Sequence, residues 1–188
     1  MSIPDVAHRI FGTCLAALAI AHGGGCGYAL VQNDKLFGAR AIAVVPPVEE
    51  EPIGIAGDLA AALAMRLSAT GIHLTTNRAS ADAVLSGRII AANISTAPVR
   101  DPSLPVITIY RVNLVVLATL NRGDKELWHT QVSLTDDFLP SLVSGEPATD
   151  LGTEANRREA LSRLTRSAAQ DIVDQLRVAA ALTPPPSS

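Results

Sequence analysis

Two segments of alternating sequence, separated by a short turn, constrain the fold of this chain more than any other feature. In the first segment, residues 107–120, every second residue is apolar from Tyr110 to Leu120. The second segment, residues 127–138, again has apolar residues facing one way, and residues 121–125 between them read Asn-Arg-Gly-Asp-Lys. Successive side chains of a strand point to opposite faces, so this period of two predicts a β-hairpin with one dry face.

Two other segments have the period of a helix. Ile55, Leu59, Leu63 and Leu67 recur at every fourth position, and Gly71 is a natural stop for that helix. A longer helix is predicted to begin near Thr153, with its apolar stripe formed by Leu161, Leu164, Ala168, Ile172 and Leu176. Its opposite face has Glu154 with Arg158 and Glu159 with Arg163 at i, i+4 spacing, which is typical of a solvated surface.

Two further strands complete the predicted fold. Residues 41–45 form a short apolar run before Pro46 and Pro47, and residues 83–92 alternate apolar or small residues with polar ones. The fold class predicted is α+β, with two helices packed on one face of a small, mainly antiparallel four-stranded sheet. The other sheet face is expected to stay open and to present polar side chains, namely Arg88, Arg111, Asn113, His129, Gln131 and Ser133.

Composition narrows the class of protein. A chain of 188 residues with 48% apolar and 18% charged residues fits one globular domain. Its formal net charge of −3 disfavours nucleic acid as the main partner.

The N-terminus has the features of an export signal. Arg9 precedes a short apolar run at residues 11–21, which three glycines interrupt before it reaches the length of a membrane span. Residues 23–26, Gly-Gly-Gly-Cys, resemble the lipobox cut by the lipoprotein signal peptidase, although Gly23 departs from the leucine usual there. We expect a signal peptide at 1–25, a lipidated N-terminus and tether at 26–38, one domain at 39–182 and a disordered tail at 183–188. An ordinary secretory leader with a coincidental cysteine is the alternative.

The sequence contains no recognisable catalytic motif. It contains no HExxH, CxxC or GxSxG motif, and only His73 and His129 fall within the expected mature chain. Asp136 and Asp137 are adjacent, so on a strand their carboxylates point to opposite faces. We therefore expect no enzymatic activity, no bound metal and no cofactor.

In this order and at this length, several pieces of the chain resemble the LptE family, the lipopolysaccharide-assembly lipoproteins of Gram-negative outer membranes. The similarity covers nearly everything after Cys26. The pieces that carry it are Cys26-Gly27-Tyr28 at the mature N-terminus, the 41–44 strand before its prolines, the helix 59–67, residues 81–89 (Ala-Asp-Ala-Val-Leu-Ser-Gly-Arg-Ile), the Tyr110-Arg111-Val112 strand and the closing helix.

The resemblance implies a lipoprotein anchored through Cys26 on the periplasmic side of the outer membrane. Such a protein plugs the LptD β-barrel, assists its assembly and takes part in lipopolysaccharide insertion. Basic residues on the open face or at the hairpin tip are the candidates for pairing with lipid phosphates or the partner: Arg88, Arg111, Arg122 and Lys125. The alternative, from another class, is a periplasmic lipoprotein regulator that docks on a peptidoglycan synthase or a secretion complex.

Overall fold

The computed structural model describes residues 35–98, 108–140 and 150–183. The predicted signal peptide, Cys26, most of the tether and residues 184–188 lie outside the described residues. The described elements, in chain order, are β1 (Ala41–Val44), β2 (Val48–Glu49), α1 (Ala56–Ala69), β3 (His73–Leu74), a 3-10 turn (Arg78–Ser80), β4 (Ala83–Pro98), β5 (Thr108–Arg122), β6 (Lys125–Phe138) and α2 (Asp150–Leu182).

The six strands form one mixed sheet. Its order is β3-β1-β4-β5-β6, and β2 pairs with β4 beside β1. The pairs β1–β3, β1–β4 and β2–β4 are parallel, whereas β4–β5 and β5–β6 are antiparallel. The α+β class is therefore confirmed, but the expectation of four strands is wrong, because the sheet has six. Its long ladders are antiparallel as expected, whereas the parallel pairs of the short strands were not predicted. Strands of two residues are too short for a period to show in the sequence, and parallel pairing joins segments distant along the chain.

The hairpin has the predicted two faces. Val112, Leu114, Val116, Ala118 and Leu120 of β5 are all buried. They pair with β6 in continuous register from Tyr110 opposite Phe138 to Leu120 opposite Trp128. The rings of Tyr110 and Phe138 stack with their centroids 5.3 Å apart.

Both helices bury their predicted stripes in the core that lies on this face. Leu59, Leu63 and Leu67 of α1 are buried, and α1 ends before Gly71, whose φ is +86°. The stripe of α2 is buried as well, and this helix lies against α1, β5 and β6. The predicted pairs Glu154–Arg158 and Glu159–Arg163 both form, each at 3.1 Å.

β4 is longer than predicted and its neighbours change along its length. The sequence predicts a strand that ends at Ala92, but β4 continues to Pro98. Its register with β5 shifts between Ile89 and Ala91, so Ile90 is the extra residue of a β-bulge. We call residues 83–89 the inner half and residues 91–98 the outer half. The inner half pairs with β1 and β2 on one side and β5 on the other, whereas the outer half pairs with β5 alone among the described strands.

Candidate interaction surface

The sheet face opposite the helices, which we call the open face, is mainly polar, with two apolar residues at the centre of β5. Thr119 with His129, and Asn113 with Thr135, form polar cross-strand pairs. Between them lie Val115 and Leu117, both only partly buried. All six polar residues predicted for this face are at least partly exposed, but the two apolar residues among them were not predicted. The signal was present, because 115 and 117 have the parity of Asn113 and Thr119 in the alternating pattern.

The charges on this face are arranged in pairs. The Arg111 guanidinium donates to both carboxylate oxygens of Asp137, at 2.8 and 2.9 Å. That contact holds the pKa of Asp137 below its usual range and raises the pKa of Arg111. Arg88 donates to Glu50 at 2.7 Å at the edge of the face. Asp136 lies on the helix side and accepts from Arg163, so the two adjacent aspartates point to opposite faces as predicted.

The four predicted phosphate-binding residues do not form one cluster. Arg111 pairs in register with Ser95 near one end of the β4–β5 ladder, whereas residue 121 pairs with Val84 at the other. Arg122 donates to the carbonyl of Phe37 at 2.9 Å and so fixes the turn that precedes β1, where Phe37 has a φ of +51°. Lys125 is exposed at the hairpin tip and has no ion-pair partner within the described part of the chain.

Asp82 anchors the start of the sheet, a role the sequence did not announce. Its carboxylate accepts from the backbone N–H groups of Arg40 and Ala41, at 2.8 and 3.0 Å. These two donors hold the pKa of Asp82 below its usual range. Asp82 thus ties the start of β1 to the residue just before β4, which gives the Ala-Asp-Ala motif at 81–83 a structural purpose.

Glu49 caps α1 from a distance. The cap position Ile55 makes no side-chain hydrogen bond, and the Glu49 carboxylate instead accepts from the backbone N–H groups of residues 53–56, at 2.7 to 2.9 Å. Burial raises the pKa of Glu49, but the four N–H donors outweigh it and the pKa is lowered. A negative charge at a helix N-terminus also interacts favourably with the helix dipole. The run of three glutamates before α1 was the available sequence signal.

Gly87 allows β4 and β5 to approach closely. A Cβ built on Gly87 would lie 2.3 Å from the carbonyl oxygen of Leu117, closer than any real contact. Glycine is the residue that fits here, which explains the Ser-Gly-Arg segment at 86–88 in packing terms.

A cleft of about 340 Å³ opens between the start of α1 and α2. Ile53, Asp58, Glu154, Arg157 and Leu161 are among the residues that line it. Hydrogen bonds from Arg157 and Arg158 lower the pKa of Glu154 to about 2. The arginines of the cleft are therefore already matched by a carboxylate within it.

The described residues contain no group of three or more His, Cys, Asp or Glu side chains arranged to hold a metal ion. No helix in the described ranges is long and apolar enough to cross a membrane.

Comparisons with known structures found similarity to other bacterial proteins. A homolog of neuraminyllactose-binding hemagglutinin from Helicobacter pylori is 10% identical with a TM-score of 0.51, and the match covers 72% of this chain and 84% of that one. Rare lipoprotein B from Shewanella oneidensis is 15% identical with a TM-score of 0.47, over 73% of this chain and 94% of that one. A minor lipoprotein from Acinetobacter baumannii is 15% identical with a TM-score of 0.46, over 72% and 91%. No curated protein sequence matches the chain.

The family model for LptE, described as lipopolysaccharide-assembly, matches residues 39–176. That match spans nearly the whole described domain, from the turn before β1 to the buried end of the α2 stripe. The chain belongs to the LptE family of lipopolysaccharide-assembly proteins.

Proposed function

We propose that this protein is an outer-membrane lipoprotein that plugs and assists assembly of an LptD-type β-barrel and takes part in lipopolysaccharide insertion into the outer leaflet. In this proposal residues 1–25 are removed, and Cys26 carries the lipid that anchors the domain on the periplasmic side. The domain acts by binding and positioning, without catalysis. Family membership is the starting point, and the surface of the domain supplies the physical argument.

The observation that carries the proposal is the make-up of the open face. Its ends present hydroxyl, amide and imidazole groups. Its arginines form ion pairs within the domain, as in Arg111–Asp137. The lumen of an outer-membrane barrel is polar, so a plug needs hydrogen-bonding groups without a large excess of one charge. Exposed ion pairs of this kind contribute little to stability, so they are free to exchange partners at an interface.

Arg88, Arg111, Arg122 and Lys125 remain the proposed contacts for lipopolysaccharide phosphates or for the barrel. Lys125 is the strongest of the four, because it has no competing carboxylate within the described residues. Arg88 and Arg111 would have to exchange Glu50 and Asp137 for a phosphate. Arg122 would have to release the carbonyl of Phe37.

The first experiment tests the partner. The lipidated chain is co-expressed with the LptD-type barrel of the same bacterium and purified in mild detergent. Mass spectrometry identifies the bound proteins, and native mass spectrometry gives the mass of the intact complex. We expect a stable one-to-one complex. Recovery of a cell-wall synthase or a secretion component instead, with no barrel, would reject the proposal in favour of the regulator alternative.

The second experiment tests the basic residues. Binding of purified lipopolysaccharide to the domain is compared for wild type, for Lys125→Glu combined with Arg88→Glu, and for Arg158→Glu as a control on α2. Arg158 has a 76% exposed side chain and lies outside the open face. We expect the double variant to bind at least about tenfold more weakly, since each lost charge-assisted contact is worth about 1 kcal/mol or more, and the control to bind as wild type. Equal binding by all three proteins would reject the assignment.

A further inference from the structure

The two long edges of the sheet differ in how they are protected. β6 forms one edge of the sheet, and the other long edge available within the described strands is the outer half of β4. β6 carries Lys125, Glu126, Asp136 and Asp137, which is the charged composition that discourages pairing with another strand. Residues 91–97 of β4 read Ala-Ala-Asn-Ile-Ser-Thr-Ala and carry no charge at all.

The chain itself already uses this edge over a short length. β2 pairs in parallel with Arg88 and Ile89, and the N–H of Glu50 donates to the carbonyl of Ile89 at 3.1 Å. No described strand continues that pairing beyond Ile89. Asn93, Ile94, Ser95 and Thr96 are all exposed, and the Ile94 side chain is 45% exposed although it lies on the helix side of the sheet.

The register identifies which backbone groups are available. Ile89 turns its carbonyl toward β2, so its backbone groups point away from β5. In an antiparallel pair, residues alternate between those bonded to the neighbour and those pointing outward. The bulge at Ile90 moves that alternation by one residue, so the backbone N–H and C=O groups of Ala92, Ile94 and Thr96 point to the open edge.

We propose that the outer half of β4 is a strand-addition site, and that its occupant is an extended segment of about five to seven residues from the barrel partner. This inference rests on the proposed function and names where the barrel protein binds. The segment that fits is uncharged, lacks proline at the positions that pair with Ala92, Ile94 and Thr96, and places an apolar side chain over Ile94.

A second copy of the chain fits this edge less well. Antiparallel self-pairing centred on Ile94 would place Pro98 of each copy opposite the bulge residue Ile90 of the other. That position lies directly beside the end of β2, which already occupies the edge at Arg88 and Ile89. A short segment of another protein meets no such obstacle. Self-association is therefore kept as an outcome that the test must exclude.

Hydrogen exchange of the wild-type protein, alone and in the purified complex with the barrel, tests the inference directly. In the free chain the amides of Ala92, Ile94 and Thr96 should exchange fast, while those of Asn93 and Ser95 should be protected by β5. In the complex the first three should slow at least tenfold. Unchanged exchange of these amides in the complex would overturn the inference, as would protection in the free chain that disappears on dilution, which would assign the edge to a second copy.

A pair of variants at one position supplies a second test. Thr96→Pro removes the outward N–H, at an edge where proline is tolerated, and Thr96→Ala keeps that N–H while it also lacks the threonine hydroxyl. We expect Thr96→Pro to lower recovery of the co-expressed barrel at least fivefold and Thr96→Ala to leave it unchanged, with equal thermal midpoints for both. Undiminished recovery with Thr96→Pro would sink the inference alone, whereas a wild-type chain that recovers no barrel would contradict the proposed function itself.

Discussion

The inner and outer halves of β4 belong to one strand but meet different surroundings. In the inner half, Leu85 and Ile89 are fully buried, Gly87 touches the backbone of β5, and strands lie on both sides. In the outer half, Asn93 to Thr96 are exposed and only β5 lies alongside among the described strands. The contrast indicates that the inner half stabilises the fold, while the outer half is available for a partner.

The largest difference between the halves is expected from truncating an aliphatic side chain in each. Leu85→Ala should lower the free energy of unfolding by about 3 kcal/mol, because it leaves a cavity in the core. Ile94→Ala should cost less than about 1 kcal/mol, because this side chain is already half in solvent. Urea denaturation measures both values, and equal losses would remove the distinction between the halves.

Adding a methyl group sharpens the same comparison. Gly87→Ala places a Cβ against the Leu117 carbonyl, a backbone atom that can move only with its strand, so we expect a loss of about 2 kcal/mol. Ser95→Ala, on the exposed outer half, should change stability by no more than about 0.5 kcal/mol. If Gly87→Ala were neutral in chemical denaturation, the close contact between β4 and β5 would not be a constraint.

β2 lies beside the inner half of β4, and its residue Glu49 caps α1, so the role of β2 is tested at that residue. Glu49→Ala should cost about 1 kcal/mol, since it leaves four backbone N–H groups at the start of α1 without their acceptor. Glu51→Ala removes an exposed carboxylate two residues later and is the matched control, with little change expected. Thermal unfolding of the two variants gives the comparison, and similar midpoints would argue against capping by Glu49.

The smallest expected effect is on how the stability of the domain depends on pH under acidic conditions. The pKa of Asp82 is lowered in the folded chain, so the folded state holds its proton less tightly than the unfolded chain does. Its stabilising contribution is complete above the ordinary value of 3.8 and is lost as the pH falls through the lower folded value. We expect Asp82→Asn to flatten the decline in stability below about pH 4. Denaturation series from pH 6 to pH 2 measure this slope, and identical slopes for wild type and variant would contradict the anchor role.

The elements predicted well from the sequence are those whose pattern repeats over consecutive residues. The hairpin and both helices repeat a pattern over ten or more residues, and their buried residues are the predicted ones, from Val112 to Leu120 and from Leu161 to Leu176. β2 and β3 are set by parallel pairing with distant residues, which leaves no periodic trace in two positions. The outer half of β4 was missed because the bulge at Ile90 interrupts the alternation and its residues are exposed on both faces.

The candidate surface was predicted in part. The residue types of the open face follow from alternation, and the side chains of Arg88 and Arg111 are exposed on it as expected. Their ion pairs with Glu50 and Asp137 were not predicted. Arg88 and Glu50 lie on different strands joined by parallel pairing, so no sequence spacing relates them. The backbone contacts of Asp82 and Glu49 depend on loop geometry, which residue type alone does not specify.

The bulge at Ile90 also affects how sequences of this family should be aligned. Odd-numbered residues point into the core before it, as Leu85 and Ile89 do, and even-numbered residues lie on that side after it, as Ala92 and Ile94 do. The inserted residue thus exchanges the two faces of the strand for every residue that follows it, although the pairing with β5 continues on both sides of the bulge. An alignment with a relative that lacks the bulge must place a one-residue gap here, or every residue of the outer half will be compared with a position on the wrong face.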